Sequence, residues 1–186
     1  MASKPLWRRR SSNSPGEPEE GAGLYRIEVT EGPGSGVRIL NRPAPGPFAE
    51  SLKYAEQNLY ARAAELVGDR NPRQPEFSVQ LRVFDTPKSG QSLGVAALLA
   101  LCSALIGKSL EGGLVVVGGL NLGGSIDPLY NTIGVVELAV EKGAAAVLIP
   151  IAARKQLFEL SDDMAARVNV LFYTDARDAF IKAVAD

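Results

Sequence analysis

Residues Leu93 to Ile106 form an apolar run of 14 residues interrupted by Gly94 and Ser103. A bilayer-spanning helix needs about 20 apolar residues. The run therefore reads as a helix buried in a protein core, which other elements have to cover. The rest of the chain is long enough to do so. Its 186 residues, 46% apolar, suit one domain that buries roughly two thirds of its unfolded surface.

The surrounding pattern alternates between strands and helices. From Leu24 to Val29 a period of two marks a half-buried strand. EGPGSG at 31–36 is a turn, and Val37 to Leu40 returns as a second strand, giving a β-hairpin. NRPAPGP at 41–47 breaks the sheet. Phe48 to Val67 reads as one helix, with Leu52, Ala55, Leu59, Ala63 and Leu66 on a single face. Phe77 to Phe84 alternates as a strand, and a loop from Asp85 to Ser92 feeds the apolar helix. Then follow a strand at Leu114 to Val117, a glycine-rich hairpin at 118–128, a helix from Thr132 to Lys142 and a strand at Ala146 to Ile149. A short helix at 151–158, a strand from Val168 to Tyr173 and a helix from Asp175 to Val184 close the chain. The fold class is α/β (α+β), one domain over 23–186 with mixed sheets and packed helices. Residues 1–22 are rich in Ser, Pro, Glu and Arg and read as a disordered polar tail. Trp7 with Arg8, Arg9 and Arg10 could touch a nucleic acid or an acidic partner, but Glu17, Glu19 and Glu20 offset that charge.

Composition removes whole classes of chemistry. With no histidine, a Ser-His-Asp triad, a His-activated thiol and an HExxH zinc site are impossible. A single cysteine excludes an internal disulfide and a Cys₄ zinc site. A net charge of −1 argues against a whole-surface nucleic-acid binder. No apolar segment marks a secretory signal, so a soluble, cytoplasmic protein without membrane contact, cofactor or metal is expected. Hydroxyl, lysine, carboxylate or backbone groups must carry any reaction.

Two segments imitate phosphate loops. Gly107-Lys108-Ser109 resembles the end of a Walker A motif, but Cys102 occupies the position of the required first glycine and a helix precedes it. It reads as a helix C-terminus. Glycines 118, 119, 123 and 124 lack GxGxxG spacing and read as hairpin and bulge positions. Ser92 stands at the start of the apolar helix between Gly90 and Gly94. Backbone N–H groups and the positive helix end there suit an oxyanion; the same place suits a structural N-cap serine.

Thr86-Pro-Lys-Ser-Gly-Gln-Ser-Leu-Gly94 resembles the TPKDGPSAG segment of the Lon protease proteolytic domain, whose serine is the nucleophile. The glycine-rich hairpin at 118–128, Val147-Leu-Ile-Pro150 and the strands and helix before Ser92 resemble that family in the same order. The resemblance covers about 24–184 and implies the ribosomal-protein-S5-domain-2-like fold of that family. It also implies a Ser-Lys dyad, with the lysine on the helix after the hairpin in a segment like GGLKEK. Laid on this sequence without a gap, that lysine falls on Val135 and the segment's other lysine on Ile133. The motif's acidic residue falls on Ser89, its second proline on Gln91, and a threonine that supports the lysine on Val117. Within the group, Ala100-Leu-Cys-Ser103, Asn121-Leu-Gly-Gly124, Ile126-Asp-Pro128 and Phe172-Tyr-Thr-Asp175 resemble the Lon-like domain of BrxL-type AAA+ proteins of BREX phage defence.

A serine hydroxyl needs a neighbouring base, which burial of a lysine supplies in a Ser-Lys pair. With valine at 135 no such base is expected beside Ser92, and losing one costs about a million-fold in comparable hydrolases. Lys88 is the remaining weak candidate base. Lys142 lies seven residues beyond Val135, about 10 Å along a helix axis. The expectation is a degenerate Lon-type module that assembles as a homo-oligomer or with an AAA+ ATPase in trans, reaching DNA through the complex. The alternative is a Lon-type serine endopeptidase, independent of ATP or served by an ATPase in trans.

Overall fold

The computed structural model describes residues 2–8, 23–83 and 93–186, the first group by its backbone. Among the described residues one mixed sheet of seven strands runs in the order β3-β4-β2-β1-β5-β6-β7. The strands are β1 (Ala2–Arg8), β2 (Gly23–Pro33), β3 (Gly36–Ile39), β4 (Pro75–Val83), β5 (Leu114–Val116), β6 (Ala146–Pro150) and β7 (Asn169–Tyr173). Among the described residues six α-helices accompany them: α1 (Gly46–Ala61), α2 (Ala63–Val67), α3 (Gly94–Ile106), α4 (Thr132–Glu141), α5 (Asp162–Arg167) and α6 (Ala176–Ala183). A 3₁₀ helix spans Ile151–Glu159.

Strand alternation divides the apolar residues between two cores. Tyr25, Ile27 and Val29 of β2, Phe77, Val79 and Leu81 of β4, and Leu114 and Val116 of β5 pack with α1, α3 and α6. The alternate residues Val115, Val117, Val147 and Ile149 pack with α4 and the 3₁₀ helix in a second cluster. The odd and even positions of β5 thus feed opposite faces, as the pleat requires. The run 93–106 is the central helix α3, buried on nearly its whole circumference. It ends at Gly107, whose φ of 70° is the left-handed cap that glycine accepts without strain. No helix among the described residues is long and apolar enough to cross a membrane.

Four expectations need correction, and one helix, α5, is an element that the pattern does not predict. β2 and β3 are not a paired hairpin, because β4 lies between them, antiparallel to β2 and parallel to β3. The helical connection through α1 and α2 brings the chain back so that β4 fills that slot, the usual outcome of a strand–helix–strand crossover. The helix over 48–67 is split at Arg62, whose φ of −123° leaves the helical region. Residues 151–158 form a 3₁₀ rather than an α-helix. α5 has no buried residue, so it carries no apolar period to read. Its signals are the Ser161 cap on Met164 N–H and the acidic first turn. Finally, residues 2–8, part of the expected tail, form β1, which pairs with both β2 and β5. Low apolar content hides a strand whose partners are supplied by distant segments. Residues 9–22, Arg9 and Arg10 among them, lie outside the described residues.

Candidate functional site

The glycine-rich segment is a hairpin, bridged at Leu120–Ile126 and closed by Asn121 N–H on the Ser125 carbonyl and Asp127 N–H on the Gly119 carbonyl. Three elements hold it. From α1, the buried Asn58 donates to the carbonyls of Tyr54 (2.8 Å) and Asn121 (2.9 Å). Arg62 donates to the Gly123 carbonyl, which is where the helix break at that residue finds its use. From α3, Val95 N–H donates to the Gly118 carbonyl at 3.3 Å, and Gly94 lies so close to Leu120 that a Cβ would come within 2.9 Å of the leucine Cβ. From β7, the buried Tyr173 hydroxyl donates to the Val117 carbonyl at 2.7 Å.

Two adjacent glycines make this approach possible. At Gly118, with φ 149°, a Cβ would overlap the Tyr173 hydroxyl; at Gly119 it would lie 2.5 Å from Asp127 Oδ2. The sequence marks both as hairpin positions, yet their larger role is to admit a phenol and a carboxylate to the backbone. Burial first, then the Asp127 charge, pushes the Tyr173 hydroxyl pKa upward, so it stays a donor. Tyr173, Asn58 and Arg62 were not legible as parts of this site, since each lies far along the chain from the hairpin.

Ser92, Lys88, Ser89 and Gln91 lie outside the described residues. The description resumes at Leu93, wholly buried at the N-cap of α3. Val135 sits one turn into α4 with no exposed surface, in the cluster that also contains Val117, Val136 and Ile149. Val135 and Val117, the positions on which the resemblance lays the dyad lysine and its supporting threonine, therefore share one dry apolar cluster. Ile133 is half-buried and lies outside that cluster, lining a cavity with Lys155 and Phe158. Lys142 is the C-cap of α4, with its amine 3.9 Å from Glu141, at the end of the helix away from the hairpin.

The N-terminus of α4 is built with care. Asn131 adopts φ 56° and its side chain accepts from Gly134 N–H, a left-handed cap that asparagine tolerates better than most residues. From the 3₁₀ helix, Gln156 donates to the Leu129 carbonyl and accepts from Thr132 N–H and its hydroxyl.

Fold and site together define a Lon-type proteolytic scaffold. Residues 19–185 match the family model of the Lon protease (S16) C-terminal proteolytic domain, and the chain belongs to that family. It is 29% identical over 169 residues to a protein named "Lon-like protease BrxL" from Escherichia coli O9:H4 (strain HS), covering 87% of this chain and 24% of that protein. A second protein of that name, from Bacillus cereus (strain H3081.97), is 28% identical over 87% of this chain and 24% of its own length. A Lon protease from Methylocella silvestris is 29% identical over 88% of this chain and 20% of its length. The chain thus spans about a quarter or less of the curated relatives it matches.

Proposed function

We propose that this chain is a catalytically degenerate Lon-type domain that acts, in the cytoplasm, as an assembly or interaction module of a BrxL-like complex of a BREX phage-defence system. The observation that carries this reading is the complete burial of Val135 among apolar side chains. An isopropyl group there can take no proton from a serine, and a hydroxyl without a base is a poor nucleophile. The similarity to proteins named BrxL supports the context. The partner is a second copy of the chain or an AAA+ ATPase supplied in trans, through which the complex reaches DNA.

The test pairs an activity with an assembly measurement. Wild type and Ser92→Ala are assayed on casein and on an unfolded peptide, with and without the AAA+ protein encoded nearest to this chain. Neither should hydrolyse above buffer, and light scattering should show a multimer or a complex with the ATPase. Hydrolysis abolished by Ser92→Ala would overturn the degenerate reading. A monodisperse monomer that never binds the ATPase would overturn the module.

A further inference from the structure

A cavity of about 370 Å³ opens at the carboxyl ends of β6 and β7, between the glycine-rich hairpin and the start of the 3₁₀ helix. That volume lies within the range of about 300–1,000 Å³ typical of ligand pockets. Ile126, Pro128, Pro150 and Ile151 make its walls apolar, and Asp127 brings a carboxylate to its rim. The carboxylate is held in place from behind: the Asp127 N–H is bound to the Gly119 carbonyl at 2.9 Å, and Oδ2 rests against the Gly119 backbone. Yet among the described residues the Asp127 carboxylate accepts no hydrogen bond and joins no ion pair. Arg62, the hairpin's cation, is engaged with the Gly123 carbonyl. Thr174, across the cavity, gives both its N–H and its hydroxyl to Asp178.

A fixed anion beside proline and isoleucine walls complements a positive charge carried on an aliphatic stem. Such a side chain lays its methylenes along apolar surface and directs its charged head to the polar rim. A neutral apolar ligand would leave the carboxylate facing it without a partner, and an anion would be repelled. We propose that this cavity is a subsite for a lysine or arginine side chain of a partner polypeptide, with its stem against Pro128, Pro150 and Ile151 and its charge on Asp127. The inference rests on the interaction-module reading for the partner being a polypeptide, and it deepens that reading by naming the partner's chemistry. It needs no reaction at Ser92.

The experiment follows amide signals of the ¹⁵N-labelled full chain while Nα-acetyl-arginine N-methylamide is added, with the isosteric but uncharged citrulline derivative as comparison. The arginine probe should shift the signals of Ser125, Asp127, Ala152 and Thr174. Citrulline, or Asp127→Asn with the arginine probe, should bind at least about tenfold more weakly, the loss expected for one charge-assisted contact. Asp127→Asn keeps the backbone bond to Gly119; should it nevertheless fail to fold, the citrulline comparison on the wild-type chain decides alone. Equal binding of the two probes, absence of shifts confined to these signals, or undiminished binding by folded Asp127→Asn would overturn the subsite. Complex formation by light scattering separates the two readings: a complex that forms without any probe response sinks the subsite and leaves the module standing.

Discussion

Val135→Lys places the amine that the resemblance implies at a position the fold has made hydrocarbon, and its cost can be worked out. An unfolded lysine titrates near 10.4, while a fully buried one can be pulled down to about 6. At pH 7 the folded variant must hold its lysine neutral, which at ~1.4 kcal/mol per unit costs about 4 to 5 kcal/mol. Between those two values the unfolded state binds a proton that the folded state does not. Stability therefore rises with pH through that window, and the penalty falls to roughly 0.5 kcal/mol near pH 10.4. Overpacking adds a pH-independent cost of about 1–3 kcal/mol, which Val135→Met reports without charge. Urea unfolding of both variants at several pH values isolates the electrostatic part as their difference. If the lysine variant unfolds within about 1 kcal/mol of the methionine variant at neutral pH, the amine has found water or a partner. Position 135 would then open toward the serine side, and the degenerate reading would lose its foundation.

Three further outcomes test the site's construction. Gly118→Ala should destabilise by about 2–4 kcal/mol through overlap with the Tyr173 hydroxyl and a left-handed φ. Combined with Tyr173→Phe the loss should be less than additive, because the overlapping atom is gone. Asn58→Ala should cost about 0.5–1.5 kcal/mol per hydrogen bond by removing those of its amide to the carbonyls of Tyr54 and Asn121. Amide exchange at Gly124 and Ser125 should accelerate with it. Burial, then the hydrogen bond to Glu56, raises the Tyr60 pKa to about 12. That pairing should stabilise the fold below pH 10 and be lost as pH climbs from 10 to about 12. Absorbance titration should show a tyrosine with a midpoint near 12 that Glu56→Gln shifts earlier; an unchanged midpoint would refute the pairing.

What the sequence shows well is whatever depends on one element's own periodicity. β2 and β4 alternate because one face meets α1 and α3 while the other meets water. α3 reads as buried because every side of it is. What fails is whatever a distant partner decides. β1 has the composition of a tail and becomes a strand because β2 and β5 each offer it an edge. The turn at 31–36 looks like a hairpin, but the α1–α2 crossover delivers β4 into the gap. Arg62 is an unremarked helix residue until the hairpin carbonyl of Gly123 is placed beside it.

The candidate site divides along the same line. Local features leave Ser92 open between a cap and an oxyanion site, and only the family pattern points to Val135 and Val117 as a pair. The structure gives that pair a physical meaning, since both side chains enter one cluster with Val136, Val147 and Ile149. A lysine at 135 facing valine at 117 would be a buried amine without its hydroxyl partner. A threonine at 117 facing valine at 135 would be a buried hydroxyl competing for backbone. Either single replacement leaves a polar group unsatisfied, at roughly 1–3 kcal/mol for the hydroxyl and more for the amine, whereas two apolar side chains leave none. The two valines are thus the consistent apolar solution at two positions for which the resemblance implies polar residues. Restoring them together, as Val117→Thr with Val135→Lys, should therefore cost less stability than the sum of the two single changes, as read from urea midpoints. Strict additivity would mean that the two positions do not share the cluster in which the structure places them.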